Sequence, residues 1–226
     1  MNKLKAIFID LELIEPFSLF GLEEYLLDDQ DNIYLIFYSF PSSVILGRTS
    51  KIMEEVYLDN IIKDKLILAR RRSGGGVVYV KPDQLCVSFI FPKRYLPKDL
   101  LEKYKFITSI IIKSINEFAD SINYDERGNI FLKNGKISGC GSYLSKDSYL
   151  HHLTIIREPL LNMERYLKKI KYNTSYLMVP KEILKEKILK TMEENLKIFF
   201  EKIDVNLTNC EKIIEKYRDE KFIFRL

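Results

Sequence analysis

Seven of the nine glycines in this 226-residue chain fall in two places: Gly74-Gly75-Gly76, and Gly128, Gly135, Gly139 and Gly141. Glycine weakens a strand interior, so such clusters mark backbone that bends sharply or approaches a ligand closely. The first lies in Ala69-Arg70-Arg71-Arg72-Ser73-Gly74-Gly75-Gly76-Val77-Val78-Tyr79. Its glycine amides can point at an anion, and its arginines add fixed charge with bidentate geometry. No Gly-Lys-Ser/Thr opens a helix here, so this is not a Walker loop. A tight hairpin with three solvated arginines is the plainer alternative; Ser73, directly before the glycines, favours the anion site. The second place runs Asn129-Ile130-Phe131-Leu132-Lys133-Asn134-Gly135-Lys136-Ile137-Ser138-Gly139-Cys140-Gly141. Asn134-Gly135 signals a hairpin turn, and Lys136 starts the returning strand among small residues. A lysine so held can neutralise charge at a phosphate or acyl carboxylate, although by itself it also fits a surface lysine after a turn.

Cys140, between two glycines, is a nucleophile only where a nearby cation lowers its pKa; buried packing is the commoner fate. Cys86 reads as core, and Cys210 has no supporting context. His151 and His152 are the only histidines. Being consecutive in a strand, they point to opposite faces and do not chelate one metal together; one can line a pocket. Three separated cysteines without a C-x-x-C pair and two adjacent histidines argue against a disulfide framework or a His/Cys metal site.

These residues need a scaffold. Strands are expected over Lys5 to Ile14, Tyr34 to Phe40, Val44 to Leu46, Leu66 to Arg70, Val77 to Val80, Leu85 to Phe91, Ile130 to Leu132, Ile137 to Tyr143 and Leu150 to Ile156. Helices are expected over Ser18 to Leu27, with Glu23-Glu24 off the face of Leu19, Leu22 and Leu26, and over Met53 to Ile62. A third should run from Pro97 to Phe118 and a fourth from Pro180 to about Phe200, the chain from Leu160 being mostly helical. Lys81-Pro82-Asp83-Gln84 suggests a hairpin turn. Hairpins near one another with helices in separate blocks imply an α+β fold with a mixed, largely antiparallel sheet. We expect one domain over residues 1–226, with 168–226 a mainly helical tail.

The composition, 46% hydrophobic and 30% charged, is that of a globular protein, and the formal net charge is +4. Charges of both signs alternate, most visibly from Lys181 to Lys202, and no stacking pattern of aromatic and basic residues occurs, which argues against a nucleic-acid partner. No apolar run reaches the roughly 18 residues of a membrane helix. The apolar stretch before Asp10 is too short for a secretory signal, so a cytoplasmic protein without a membrane partner is expected.

The segment Arg70 to Tyr79 resembles the R-R-x-S-G-G-G-x-V-Y/F signature of the lipoate–protein ligase A family. Gly135-Lys136-Ile137-Ser138-Gly139 is similar to its lysine segment, and Leu150-His151-His152-Leu153-Thr154-Ile155-Ile156 to its H-H-G-T strand. Leu19 to Leu26 resembles its early L-A-x-E-E-x-L helix, and Val44-Ile45-Leu46-Gly47-Arg48 its V-x-x-G-R strand. The resemblance implies a biotin/lipoyl ligase fold related to class II tRNA synthetases. It also implies ATP- and Mg²⁺-dependent activation of lipoic or octanoic acid to acyl-AMP, followed by transfer to a lysine of a lipoyl-domain acceptor, an H protein or E2-type domain. On that resemblance Arg71, Ser73, Gly74, Gly75, Gly76, Ser138, Gly139 and His152 bind the acyl substrate. Val78, Asn129 and Lys136 meet the nucleotide, and Lys136 is catalytic.

Departures are Val80-Lys81 where H-D is usual, Gln84 for an asparagine, Leu153 for a glycine, and Ser50-Lys51 for Q-N. The extra C-terminal domain many ligases carry is expected to be absent, which raises a separate accessory subunit. The rivals are a cysteine-dependent octanoyl or lipoyl transferase, for which Cys140 would be an unfamiliar placement, and a non-catalytic lipoyl-binding protein. Biotin ligase is disfavoured, since its G-R-G-R loop and Trp are missing.

Overall fold

The computed structural model describes residues 4–133 and 135–225. In chain order the elements are β1 (Lys5–Leu13), α1 (Pro16–Leu26), β2 (Asn32–Ser39), β3 (Ser43–Leu46), α2 (Ile52–Glu55), α3 (Leu58–Lys63), β4 (Ile67–Arg70), β5 (Val78–Val80) and β6 (Leu85–Pro92). After a 3₁₀ turn come α4 (Leu100–Ile115), β7 (Ile122–Tyr124), β8 (Ile130–Leu132), β9 (Gly135–Leu144), β10 (Ser148–Ile155), α5 (Met163–Tyr166), α6 (Lys181–Leu196), β11 (Phe200–Lys202), α7 (Glu211–Arg218) and α8 (Glu220–Phe224). An eight-stranded sheet is ordered β11-β1-β2-β6-β10-β9-β8-β7, and a three-stranded sheet β4-β3-β5. Only β1 with β11 and with β2, and β3 with β4, pair in parallel. The expected α+β, largely antiparallel architecture is what forms.

The central strands β2 and β6 are buried along almost their whole length, so each face of the large sheet needs an apolar cover. Period-two alternation supplies it. Ile33, Leu35 and Phe37 with Val87, Phe89 and Phe91 pack under Ile107, Ile110 and Ile111 of α4 and Leu184, Ile188 and Met192 of α6. Tyr34, Ile36 and Tyr38 face the other way, onto Leu19, Phe20 and Leu22 of α1, Ile214 and Tyr217 of α7, and Ile45, Ala69 and Val80 of the small sheet.

Several expectations fail locally. The Lys81 to Gln84 turn does not close a hairpin: β5 pairs antiparallel with β3, while β6 has both edges taken by β2 and β10. The helix expected over Met53 to Ile62 breaks at Val56, whose extended backbone bridges Leu167. The long helix starts at Leu100, not Pro97, because Asp99 accepts from the Leu101 and Glu102 N–H groups as its cap. Beyond Leu160, α5 has four residues, and the stretch 168–180 is an unwound strap. Short β7 and β11 carry no sequence pattern of their own; β11 extends the large sheet alongside β1. Asn134 of the Asn134-Gly135 turn, like Met1 to Lys3 at the N-terminus, lies outside the described residues; β8 and β9 do pair antiparallel. No helix of the described residues is long and apolar enough to cross a membrane.

Candidate functional site

β9 carries a bulge. Ile130 faces Ser138 but Phe131 faces Lys136, leaving Ile137 as the extra residue. Strict alternation would put residues 136 and 139 on opposite faces; the bulge brings them together. The Lys136 Nζ lies so near Gly139 that a Cβ there would stand 2.6 Å from it, with Asn129 Oδ1 3.8 Å away. The strap fixes the lysine's backbone from both sides: Lys136 N–H donates to the Asn173 carbonyl at 2.8 Å, and Ser175 N–H donates to the Lys136 carbonyl at 3.0 Å. Tyr172 then lies with its ring centroid 5.4 Å from Nζ. Among the described residues no acceptor takes a hydrogen bond from this half-buried ammonium. Burial pulls its pKa below the usual lysine value, with Lys171 and Arg71 pulling the same way.

The Gly74 to Gly76 loop is exposed, but Arg71 and Ser73, which shape it, are buried. Arg71 donates through Nε to Ser73 Oγ, through Nη1 to the Ile45 carbonyl, and through Nη2 to the carbonyls of Gly74 and Gly76. Burial holds its pKa at about 10. Ser73 Oγ lies 2.6 Å from His152 Nε2, and His152 Nδ1 3.2 Å from Glu23 Oε1. The Ser88 hydroxyl also donates to Glu23 Oε1, at 2.5 Å, and lies 3.1 Å from the Tyr38 hydroxyl. The Glu23 carboxylate accepts from Nδ1, Nε2 shares a hydrogen bond with the Ser73 hydroxyl, and Ser73 Oγ accepts from Arg71 Nε. A buried guanidinium and a buried carboxylate are thereby joined through two intermediaries. The order Ser-His-Glu imitates a nucleophilic triad, but Ser73 is fully buried, so the chain of bonds sets the loop's shape instead of attacking a substrate. Glu23 was expected off the apolar face of α1. It is 3% exposed, and lies one turn from buried Leu19 because His152 and Ser88 satisfy it.

Below the loop opens a cavity of about 700 Å³. Its lining is cationic and polar at Arg71, Asn129, Lys136, Lys169, Lys171 and Gly74 to Gly76, and apolar at Tyr38, Phe40, Ile45, Val78, Val80 and Ile156. Of the residues singled out by sequence, Arg71, Gly74, Gly75, Gly76, Val78, Asn129, Lys136, Gly139 and His152 line it. Ser73 is buried under the loop, and Ser138 is 1% exposed, its hydroxyl without a partner among the described residues. Asn129 is anchored by Asp125, which accepts from its Nδ2 at 2.7 Å and its backbone N–H at 2.9 Å. The departing residues divide: Val80 and Gln84 line the cavity, whereas Lys81 turns away to Asp83. Among the described residues no three His, Cys, Asp or Glu side chains converge as a metal cage.

None of the three thiols is poised as a nucleophile. Cys140 Sγ donates to the Arg127 carbonyl at 2.9 Å, and burial pushes its pKa up to about 12 despite Lys136 nearby. Burial likewise pushes Cys86 up to about 12 and raises Cys210.

His151 points to the opposite face of β10 from His152. It is fully buried, with Tyr149 Oη 3.1 Å from Nδ1 and the Tyr104 ring at 5.3 Å. Desolvation first, then His152, holds its pKa down at about 3. The unfolded chain therefore binds this proton first as pH falls below about 6.5, and stability is lost from there down to about pH 3. Between pH 7 and 5 this group should cost roughly 2 kcal/mol. Urea unfolding of a His151→Phe variant should show a pH 7-to-5 loss smaller than that of the parent by this amount; equal losses would reject the assignment.

The model of the lipoyl protein ligase A/B catalytic domain family matches residues 15–198. A Mycoplasma pneumoniae protein named as a lipoate-protein ligase A is 31% identical over 145 residues, 62% of this chain and 42% of that protein. Lipoate-protein ligase LplJ of Bacillus subtilis is 26% identical over 208 residues, 91% of this chain and 59% of that one. The chain thus spans about half the length of the curated relatives it matches. A Thermoplasma acidophilum lipoate protein ligase with bound lipoic acid superposes over 100% of both chains with a TM-score of 0.85 at 20% identity. A lipoate-protein ligase A bound with ATP superposes over 100% of both chains with a TM-score of 0.84 at 20% identity. The bi-partite T. acidophilum ligase, described with its E2 lipoyl domain, covers 99% of this chain and 98% of its own, with a TM-score of 0.87 at 20% identity.

Proposed function

The chain belongs to the lipoyl protein ligase A/B catalytic domain family, and on that premise we propose that it activates lipoic or octanoic acid with ATP and passes the acyl group to a lysine of a lipoyl-domain acceptor. The observation that carries this reading is the Lys136 ammonium, without an acceptor among the described residues, lining one cavity with an exposed glycine loop and an apolar wall. An acid with a medium-length chain buries its tail in the cavity, so its carboxylate meets the cationic lining.

In the first step a carboxylate oxygen attacks the α-phosphorus of ATP, and the bond to pyrophosphate breaks. Lys136 donates to the oxygens shared by acyl and phosphoryl groups, where charge develops. The Gly75 and Gly76 N–H groups, unmatched by protein acceptors among the described residues, line the same cavity and are free to donate to that charge. In the second step the acceptor amine attacks the acyl carbon, AMP leaves with the bonding pair, and the amine loses its proton. Both Val78 and Asn129 line the cavity, and on this reading they meet the nucleotide. Asn129 Oδ1 and Asp125 offer the hard oxygen donors Mg²⁺ takes; the ion would screen phosphate charge, most of its shell being phosphate and water. Ser73 and His152 contribute by holding the loop. The acceptor would be an H protein or an E2-type domain. The lengths of the relatives and the bi-partite ligase support an accessory subunit, encoded separately or as further chain, and three unpaired cysteines suit a cytoplasmic enzyme.

The transferase alternative needs a thiolate. A Cys140→Ala variant should keep ATP-dependent acyl-AMP formation within about twofold of the parent. Loss of all acyl transfer with the fold intact would instead make Cys140 the nucleophile.

A further inference from the structure

Gln84 interrupts an otherwise apolar wall. It lines the cavity with Tyr38, Phe40, Val80 and Thr154, and the residue is completely buried. Its backbone is pinned: Gln84 N–H donates to the Lys81 carbonyl at 3.1 Å, and its carbonyl accepts from Ser39 Oγ at 2.8 Å. Yet neither Oε1 nor Nε2 of the carboxamide has a partner among the described residues. Nearby polar groups are already engaged: Tyr38 with Ser88, Ser39 with the Gln84 carbonyl and Lys181, Thr154 with Cys86. A buried amide left unpaired forfeits its hydration without return, so native proteins rarely leave both ends idle. The partner must therefore come from whatever fills the cavity.

We propose that Gln84 reads the far end of the acyl substrate, selecting a medium-chain acid whose tail ends in hydrogen-bonding heteroatoms over a plain alkyl acid of the same length. This deepens, and rests on, the reading of the cavity as an acyl site. A cyclic disulfide presents sulfur lone pairs to the Nε2–H₂ group, whereas an unsubstituted methyl terminus presents nothing to it. A site built to pair a polar group discriminates against the ligand that lacks it, because its own amide is then stranded. Sulfur is a weak acceptor, so the discrimination is modest.

The test is calorimetric binding of lipoate and of octanoate to the parent chain and to Gln84→Leu, with Gln84→Met as a volume-matched second variant. The parent should bind lipoate roughly tenfold tighter than octanoate, and the variants should shrink that ratio to near one, chiefly by tightening octanoate. Both acids binding the parent, with a ratio unchanged in either folded variant, would overturn the role of Gln84 alone. Neither acid binding the parent would overturn the acyl-site reading and this inference with it.

Discussion

Replacing Lys136 with methionine should slow acid-dependent pyrophosphate release by roughly 10²- to 10³-fold, the range seen when one preorganised donor is removed from developing charge. The fold should survive. The ammonium is half-buried without an acceptor and burial already disfavours its charge, so an apolar replacement removes a desolvated cation and leaves no orphaned partner. Release assayed with lipoate, ATP and Mg²⁺, beside a thermal melt, checks both parts; activity within about threefold of the parent would remove Lys136 from the chemistry. The sign with pH follows from the lowered pKa. The protonated form is the donor, so activity is retained below that pKa and lost as pH rises through it. The alkaline limb should therefore fall at a pH below the ordinary lysine value of 10.5, and the Met variant should lack that limb.

Gly47→Ala should be nearly as damaging although residue 47 carries no functional group. A Cβ there would overlap the Gly75 carbonyl oxygen and lie 3.0 Å from the Gly75 carbonyl carbon. Gly75 cannot readily retreat: its φ is +96°, and its own Cα faces Arg71 Nη2 across a gap with no room for a methyl. The glycine loop would have to shift by about an ångström, and displacement of that size in a positioning element costs about 10²-fold. Overpacking of this kind also costs about 1–3 kcal/mol of stability. Adenylation rate and urea unfolding together report it; a variant with parental rate would mean that the loop's position does not matter to the reaction.

The parts of the site legible in the sequence are those carried by residue type at short range. Arg71 to Gly76 sit together in the chain, as do Gly135 to Gly139, and their chemistry follows from composition. What was hidden depended on chain segments meeting. Glu23 reads as a solvated helix charge until β10 brings His152 to it and β6 brings Ser88. Lys136 reads as a residue on a regular strand; only the bulge at Ile137 turns it toward Gly139. The strap of residues 168–180 has helix-forming lysines and no strand alternation, yet it is drawn straight by backbone bonds to Lys136 and Ile156.

The fold divides in the same way. Long strands such as β2 and β6 announce themselves through apolar runs, and α4 through its helical spacing. The partner of a three-residue strand cannot be read from its own residues. β5 was expected to pair with β6, but β6 was already committed on both edges, so β5 closed the small sheet and brought Val78 and Val80 to the cavity wall. Val80 and Gln84, both departures from the family's usual residues, line that cavity.

One measurement tests the central claim most directly: the mass of a lipoyl-domain acceptor after incubation with this chain, lipoate, ATP and Mg²⁺, with a parallel arm offering octanoyl–acyl carrier protein and no ATP. Acyl-AMP and pyrophosphate are followed in the first arm, so that an acceptor step requiring an accessory subunit does not mask activation. The account predicts acyl-AMP formation that requires both ATP and acid, is slowed roughly 10²- to 10³-fold by Lys136→Met and is kept by Cys140→Ala. Acceptor modification from the carrier arm alone, with no acyl-AMP in the other, would contradict it.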